Sequence, residues 1–285
     1  MGAKVSGMIS GMQYMGLSAL SFSLMAALVK LGRGDIPEQE MILFRSLFII
    51  AVTIPILLRN KIPIFGNRKG LLILRGLFGY IAMSCYFWTL GELPVADAIV
   101  IQYISPIFTV LFAWMFLKEE AKGGIWLAAL LCMVGVVLIA KPEGEGSLLV
   151  AAIGLIGAVL AGAAYVTVRA LRESDNAYTI VFYFPLVSLP FSIIASIKSS
   201  HFHIPSTLNS WGILLGICLT SYLGQIFLTK GLEKESASRA ILVNYTTVAF
   251  GLVFGLLMFD ALPDLRSLFG ILLILVGISW VSFRK

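Results

Sequence analysis

The sequence predicts an all-α integral membrane protein: ten transmembrane helices in two five-helix repeats of inverted topology, with both termini cytoplasmic. Three observations predict it. The 285 residues are 59% hydrophobic and 13% charged, with a mean hydropathy of +0.96, far from the soluble average. Apolar runs close to the roughly 20 residues needed to cross a bilayer recur along the whole length. Finally, "ADAIVIQYISPIFTVLF" (96–112) aligns without a gap on "SRAILVNYTTVAFGLVF" (238–254), at an offset of 142 residues.

The first run, 8–31, is too long for the apolar region of a signal peptide and lacks a clear small-residue cleavage site, so it reads as a retained helix. The second, 40–58, holds Arg45. The third spans 71–90. The fourth, 95–117, carries the first copy of the repeat, and the fifth, 124–140, keeps its register: Leu130, Leu131, Val134 and Gly135 fall on Leu272, Leu273, Val276 and Gly277. The sixth, seventh and eighth runs are 148–168, 178–197 and 211–228. The ninth, 237–259, is the second copy, and the tenth is 265–283. Residues 1–142 and 143–285 thus hold five spans each. An odd number inverts the second half relative to the first, the arrangement that lets a carrier rock between outward-open and inward-open shapes.

Orientation follows from the basic residues, which are held on the cytoplasmic side during insertion. With the N-terminus inside, 15 of the 21 lie in cytoplasmic segments: Lys4; Arg59, Lys61, Arg68, Lys69 and Arg75; Lys118 and Lys122; Arg169 and Arg172; Lys230, Lys234 and Arg239; Arg284 and Lys285. Five lie outside: Lys30, Arg33, Lys141, Lys198 and Arg266. Only Arg45 is left unassigned to either side, deep in a span. Spread over short loops, these charges account for the net +6 by contact with lipid headgroups and call for no nucleic-acid partner. Cys85, Cys132 and Cys218 lie in apolar spans without a CxxC pair, so packing is their expected role and no metal is expected.

In "LFRSLFIIA" of the second span, "ILRGLFGYIAMSCYFWTL" of the third, "ADAIVIQYISPIFTVLFAWMFLKEE" from the fourth into its loop and "GILLILVGISWV" of the last, the chain resembles the EamA-type drug/metabolite transporter superfamily. The resemblance covers essentially the whole chain and looks closest to the solute carrier 35 group G branch and its bacterial relatives. It implies the ten-helix carrier fold, often an exporter, for substrates such as amino acids, citrate-like carboxylates or S-adenosylmethionine-like nucleosides. An arginine at the place of Arg45 belongs to the general pattern. The second half departs from the first where Val248 replaces Pro106 and Ala261 replaces Glu119.

Candidate substrate-binding residues come from polar groups that hydrocarbon would leave unsatisfied. Ala98, Gln102, Ser105 and Thr109 recur at spacings of four, three and four, and the offset of 142 gives Ala240, Asn244, Thr247 and Gly251. This stripe either packs helices, as small and hydroxyl side chains do, or lines a central cavity with Gln102, Ser105, Asn244 and Thr247. Pro106 removes a backbone hydrogen bond, so a bend suited to a gate is expected there. Tyr86, Tyr103 and Tyr245 lie deep enough to need partners and suit a substrate cage; Gln225 joins them. Arg45 sits about five residues into its span, roughly 7 to 8 Å by the helical rise. It either snorkels to the interface or faces the bundle interior and a substrate path. "TIVFYFPLV" realigns Arg45 on Tyr183, so a substrate would meet a cation at one end and a phenol at the other.

No HExxH, GxSxG or paired intramembrane carboxylates appear, which argues against an enzyme. His201 and His203 form an incomplete metal set in a solvated loop. A channel would want a charged ring or a carbonyl filter. Asp97, Glu92, Glu40 and Asp260 lie near span ends, so exchange or facilitated diffusion fits at least as well as a proton relay, with Asp97 as a candidate protonation site. The expected function is a secondary or facilitative transporter in the cell inner membrane that moves a small polar organic metabolite, an amino acid or carboxylate, without a cofactor. A channel-like pore, or an uptake carrier for a nucleoside-type metabolite, is the alternative. A monomer is the expected unit, with an oligomer left open.

Overall fold

A computed structural model describes residues 9–32, 35–93, 95–120, 123–142, 147–198, 205, 207–260 and 262–283. Among them every regular element is helical: α1 (Gly11–Gly32), α2 (Glu38–Arg59), α3 (Lys69–Glu92), α4 (Val95–Gln102), α5 (Ser105–Leu117), α6 (Gly123–Ala140), α7 (Leu148–Leu171), α8 (Ala177–Lys198), α9 (Leu208–Lys234), α10 (Ala237–Val243), α11 (Thr246–Phe259) and α12 (Leu265–Phe283). Counting α4 with α5 and α10 with α11, nine described spans are long and apolar enough to cross a membrane, and Leu265–Val281 is a shorter apolar helix. The protein is a multi-pass membrane protein. His201 and His203, expected in a solvated loop, lie outside the described residues.

Apolar side chains face outward as well as inward, with Phe116, Leu148, Leu257 and Leu265 among the exposed ones, as lipid as solvent requires. Inside, the helices meet through small residues. At the crossing of α6 and α12, a Cβ on Gly135 would stand 2.6 Å from the Gly270 carbonyl oxygen, and one on Gly277 would stand 2.8 Å from Cys132 Sγ. Backbones approach there as closely as side-chain-free positions allow. Cys132 Sγ also donates to the Ile274 carbonyl at 3.7 Å, and all three cysteines are free thiols.

One end of the bundle, where α2, α7 and α9 finish, gathers basic residues and is tied by polar contacts. Arg169 Nε lies 2.8 Å from Glu119 Oε1 in a largely buried pair. Its Nη1 donates to the carbonyls of Leu232 and Glu233 at 2.8 and 3.0 Å, at the close of α9. Glu119 Oε2 accepts from the Ser238 N–H at 3.4 Å, at the start of α10. The pair therefore caps a helix end and a helix beginning at once, cation on carbonyls and anion on amides. Nearby, the α2–α3 turn is held to the α7–α8 turn: Asp175 accepts from the N–H groups of Asn67 and Arg68, and the Asn67 amide donates to the Ser174 carbonyl. The opposite end carries fewer described ties, among them the exposed Lys141–Asp264 pair at 2.8 Å and Ser210 Oγ donating to Asp35 at 2.9 Å.

Candidate functional site

Arg45 does not snorkel. Only 7% of it is exposed; its Nη2 points at Met83 Sδ, 2.9 Å away, and its guanidinium lies 5.3 Å from the centre of the Phe184 ring. A second arginine meets it there. Arg75, expected among the loop charges, is instead 3% exposed inside α3. Its guanidinium stands 4.8 Å from the same ring, and its Nη2 donates to Gln225 Oε1 at 3.0 Å.

The sequence makes room for this arrangement. A Cβ on Gly79, one turn beyond Arg75, would stand 2.6 Å from Arg75 Nη1 and 2.8 Å from Phe184 Cε2. Only glycine there lets guanidinium and ring settle on the face of α3. The adjacent Gly76 similarly admits Val187 of α8, with a Cβ position 2.7 Å from that side chain.

Each guanidinium carries five N–H donors, and among the described residues neither reaches a carboxylate. Nε of both is buried with no partner. Sharing one ring places the two charges no more than about 10 Å apart, where like charges repel by roughly 2 kcal/mol at an effective dielectric near 20. The ring's negative face offsets part of this by cation–π attraction. The site is a buried basic cluster short of acceptors.

Phenols border it. Tyr165 lies within electrostatic reach of Arg75 and of Tyr103, and Tyr103 within reach of Tyr86. The Tyr103 ring lies 5.9 Å from that of Tyr245. Tyr245 is fully buried with its hydroxyl unpartnered. Thr247 Oγ1 donates to Asn244 Oδ1 at 3.3 Å. Tyr165 is thus within electrostatic range of both Arg75 and Tyr103, while Thr247 and Asn244 form a hydrogen-bonded pair of their own. Arg75, Tyr165 and Phe184 are the residues that sequence reasoning missed.

Other expected members are placed differently. Tyr183 turns its hydroxyl to the Phe65 carbonyl at 2.8 Å, bracing the α2–α3 turn; its neighbour Phe184 takes the place beside Arg45. Ser105 and Thr109 are buried, and the Thr109 hydroxyl donates to the Ser105 carbonyl at 2.9 Å, while Gly162 of α7 closes on Phe108 and Thr109. That part of the stripe packs helices. Gln102 is half-buried at the end of α4, and Asp97 is buried in the first turn of that helix.

The interruption of this helix is not the work of Pro106 alone. The interruption falls at Tyr103–Ile104, before the proline, and recurs at Asn244–Tyr245, where the next helix has Val248. At both places backbone bonds shorten to three-residue steps: Ile104 N–H to Ile101 O at 3.2 Å, and Asn244 N–H to Ile241 O at 3.0 Å. These are tight 3₁₀ turns. Thr246 Oγ1 covers the Val243 carbonyl at 2.7 Å in the second.

The EamA-like transporter family model matches residues 9–141 and, a second time, residues 148–283. The pseudopaline exporter CntI of Pseudomonas aeruginosa (strain UCBPP-PA14) is 35% identical over 279 residues, covering 97% of each chain. Solute carrier family 35 member G1 of Mus musculus is 30% identical over 292 residues, covering 96% of this chain and 78% of its own. A solved crystal structure superposes with a TM-score of 0.81 at 18% identity, over 94% of this chain and 95% of that one, a likeness of fold alone. Two family matches that together take in nearly the whole sequence, and relatives aligned over 96 to 97% of this chain, place the chain in the EamA-like transporter family.

Proposed function

We propose that the protein is a secondary carrier that exports a small polar organic metabolite, an amino acid or carboxylate, by alternating access between residues 1–142 and 143–285. The halves act as inverted repeats, with the basic end of the bundle and both termini cytoplasmic and the cell inner membrane as the location. One observation carries the reading: the helix pairings survive exchange of the halves. The exchange turns the close pair α1–α9 into α7–α3, turns α5–α7 into α11–α1, and leaves α2–α8 and α6–α12 unchanged, and all of these pairs pack together. Ser46 and Ser188, 142 residues apart, share a hydrogen bond of 3.3 Å within α2–α8. Five spans per half make such a two-fold relation an inverted one, the geometry of rocking carriers.

Export is supported by the pseudopaline exporter among the relatives, and a monomer holds both halves, so it suffices as the working unit. Radiolabelled solute uptake into proteoliposomes tests the mechanism. A carrier shows saturation and counterflow, whereas flux that neither saturates nor exchanges identifies a pore and overturns the proposal.

A further inference from the structure

Resting on the carrier reading, we propose that Arg45 and Arg75 form one binding site for a dianionic organic acid, a small dicarboxylate whose two carboxylates each face one guanidinium beside the Phe184 ring. The substrate class follows from unmet demand. Two buried cations share a ring at 5.3 and 4.8 Å, yet their only hydrogen-bond acceptors among the described residues are a thioether and an amide oxygen. Nε of each is buried and bare. Guanidinium forks match carboxylates in geometry and charge, and ionisable groups inside a bundle mark substrate paths. A neutral or cationic cargo would leave the repulsion between the arginines standing, whereas a dianion removes it.

The surroundings fit an organic acid. Phe184 offers an apolar face for the carbon backbone, and Tyr165 lies within electrostatic reach of Arg75. Gln225 fixes one arm of Arg75, and Gly79 is the recess in which its Nη1 lies. Gly79, Gln225 and Met83 are positioning residues; the two arginines contact the cargo.

The experiment is binding to the purified full chain in detergent, read by thermal shift and calorimetry. The probes are succinate, its uncharged counterpart succinamide, and acetate. Succinate should raise the melting temperature, succinamide should not, and acetate should bind at least tenfold more weakly than succinate. Arg45→Gln and Arg75→Gln should each weaken succinate at least tenfold while bringing its affinity close to that for acetate. Arg75→Lys, which keeps the charge and guards against a folding defect, should lose less. Gly79→Ala leaves both charges in place but displaces the Arg75 guanidinium, so it too should weaken succinate. Wild-type protein that succinate does not stabilise, or an Arg75→Gln variant with unchanged affinity, overturns the site. Succinate binding without counterflow would keep the site and remove the carrier reading; counterflow of a neutral amino acid with no carboxylate binding would do the reverse.

Discussion

Removing Glu119 should destabilise the folded bundle far more than removing any exposed acid, because it strands a buried arginine. The two side chains are 15% and 9% exposed and 2.8 Å apart. With charge centres about 4 Å apart and an effective dielectric near 20, their attraction is about 4 kcal/mol before desolvation is subtracted. Breaking such a pair from one side costs about 3 to 5 kcal/mol in comparable buried settings. Arg169 keeps its two carbonyl partners when Glu119 is lost, which places Glu119→Ala at the low end, roughly 3 kcal/mol. Arg169→Ala should cost more, since it frees the Leu232 and Glu233 carbonyls as well. The double variant should lose less than the two singles together, with a coupling of roughly 2 kcal/mol. Reversible unfolding in mixed micelles measures all four proteins. The half-exposed Lys141–Asp264 pair provides the control cycle, because surface pairs couple weakly. A Glu119–Arg169 coupling no larger than that control would refute the argument.

Three further expectations concern packing, bracing and pH. Gly135→Val and Gly277→Val put atoms where backbone and Cys132 already stand, so each should cost about 1 to 3 kcal/mol; unchanged thermal melts would mean that α6 and α12 do not meet. Tyr183→Phe removes the donor to Phe65 and should cost about 1 kcal/mol with transport intact; lost transport at unchanged stability would return Tyr183 to the substrate path. Lys141 first, then Ser267, hold the Asp264 carboxyl well below its ordinary value of 3.8. A depressed folded value stabilises above the unfolded one and fades as pH falls toward the folded one. The stability gap between wild type and Asp264→Asn should therefore be flat above pH 3.8 and shrink below it; a gap that grows on acidification would refute the assignment.

Much of the fold is legible in the sequence because length and hydropathy are properties of a segment, and a bilayer tests little else. The repeat at an offset of 142 residues is legible for the same reason, since the order of apolar and small residues carries it. The site is less legible, for physical reasons. Arg75 follows Arg68 and Lys69 closely, so a window of composition assigns it to the loop, while its burial is decided by Phe184 and Gln225 on distant helices. Tyr183 and Phe184 are neighbours that face about 100° apart on a helix, both buried, and no periodicity in that apolar run says which one meets Arg45. Arg45 was the easier case, since a lone cation within a span leaves few arrangements.

The tight turns at Ile104 and Asn244 bear on the phase of the polar stripe. Each residue advances about 100° around an α-helix but about 120° in a 3₁₀ turn. In a uniform helix a stripe spaced four, three and four stays on one face, because its eleven steps overrun three full turns by only about 20°. In this chain the spacing of three, from Gln102 to Ser105 and from Asn244 to Thr247, coincides with the tightened steps, where residues three apart eclipse. The hydrogen bond from Thr247 to Asn244 is what that alignment produces. Three steps wound at about 120° instead of 100° turn the second half of each stripe by up to about 60° relative to the first, so the interruption aims Ser105 and Thr247 away from where an ideal helix would set them.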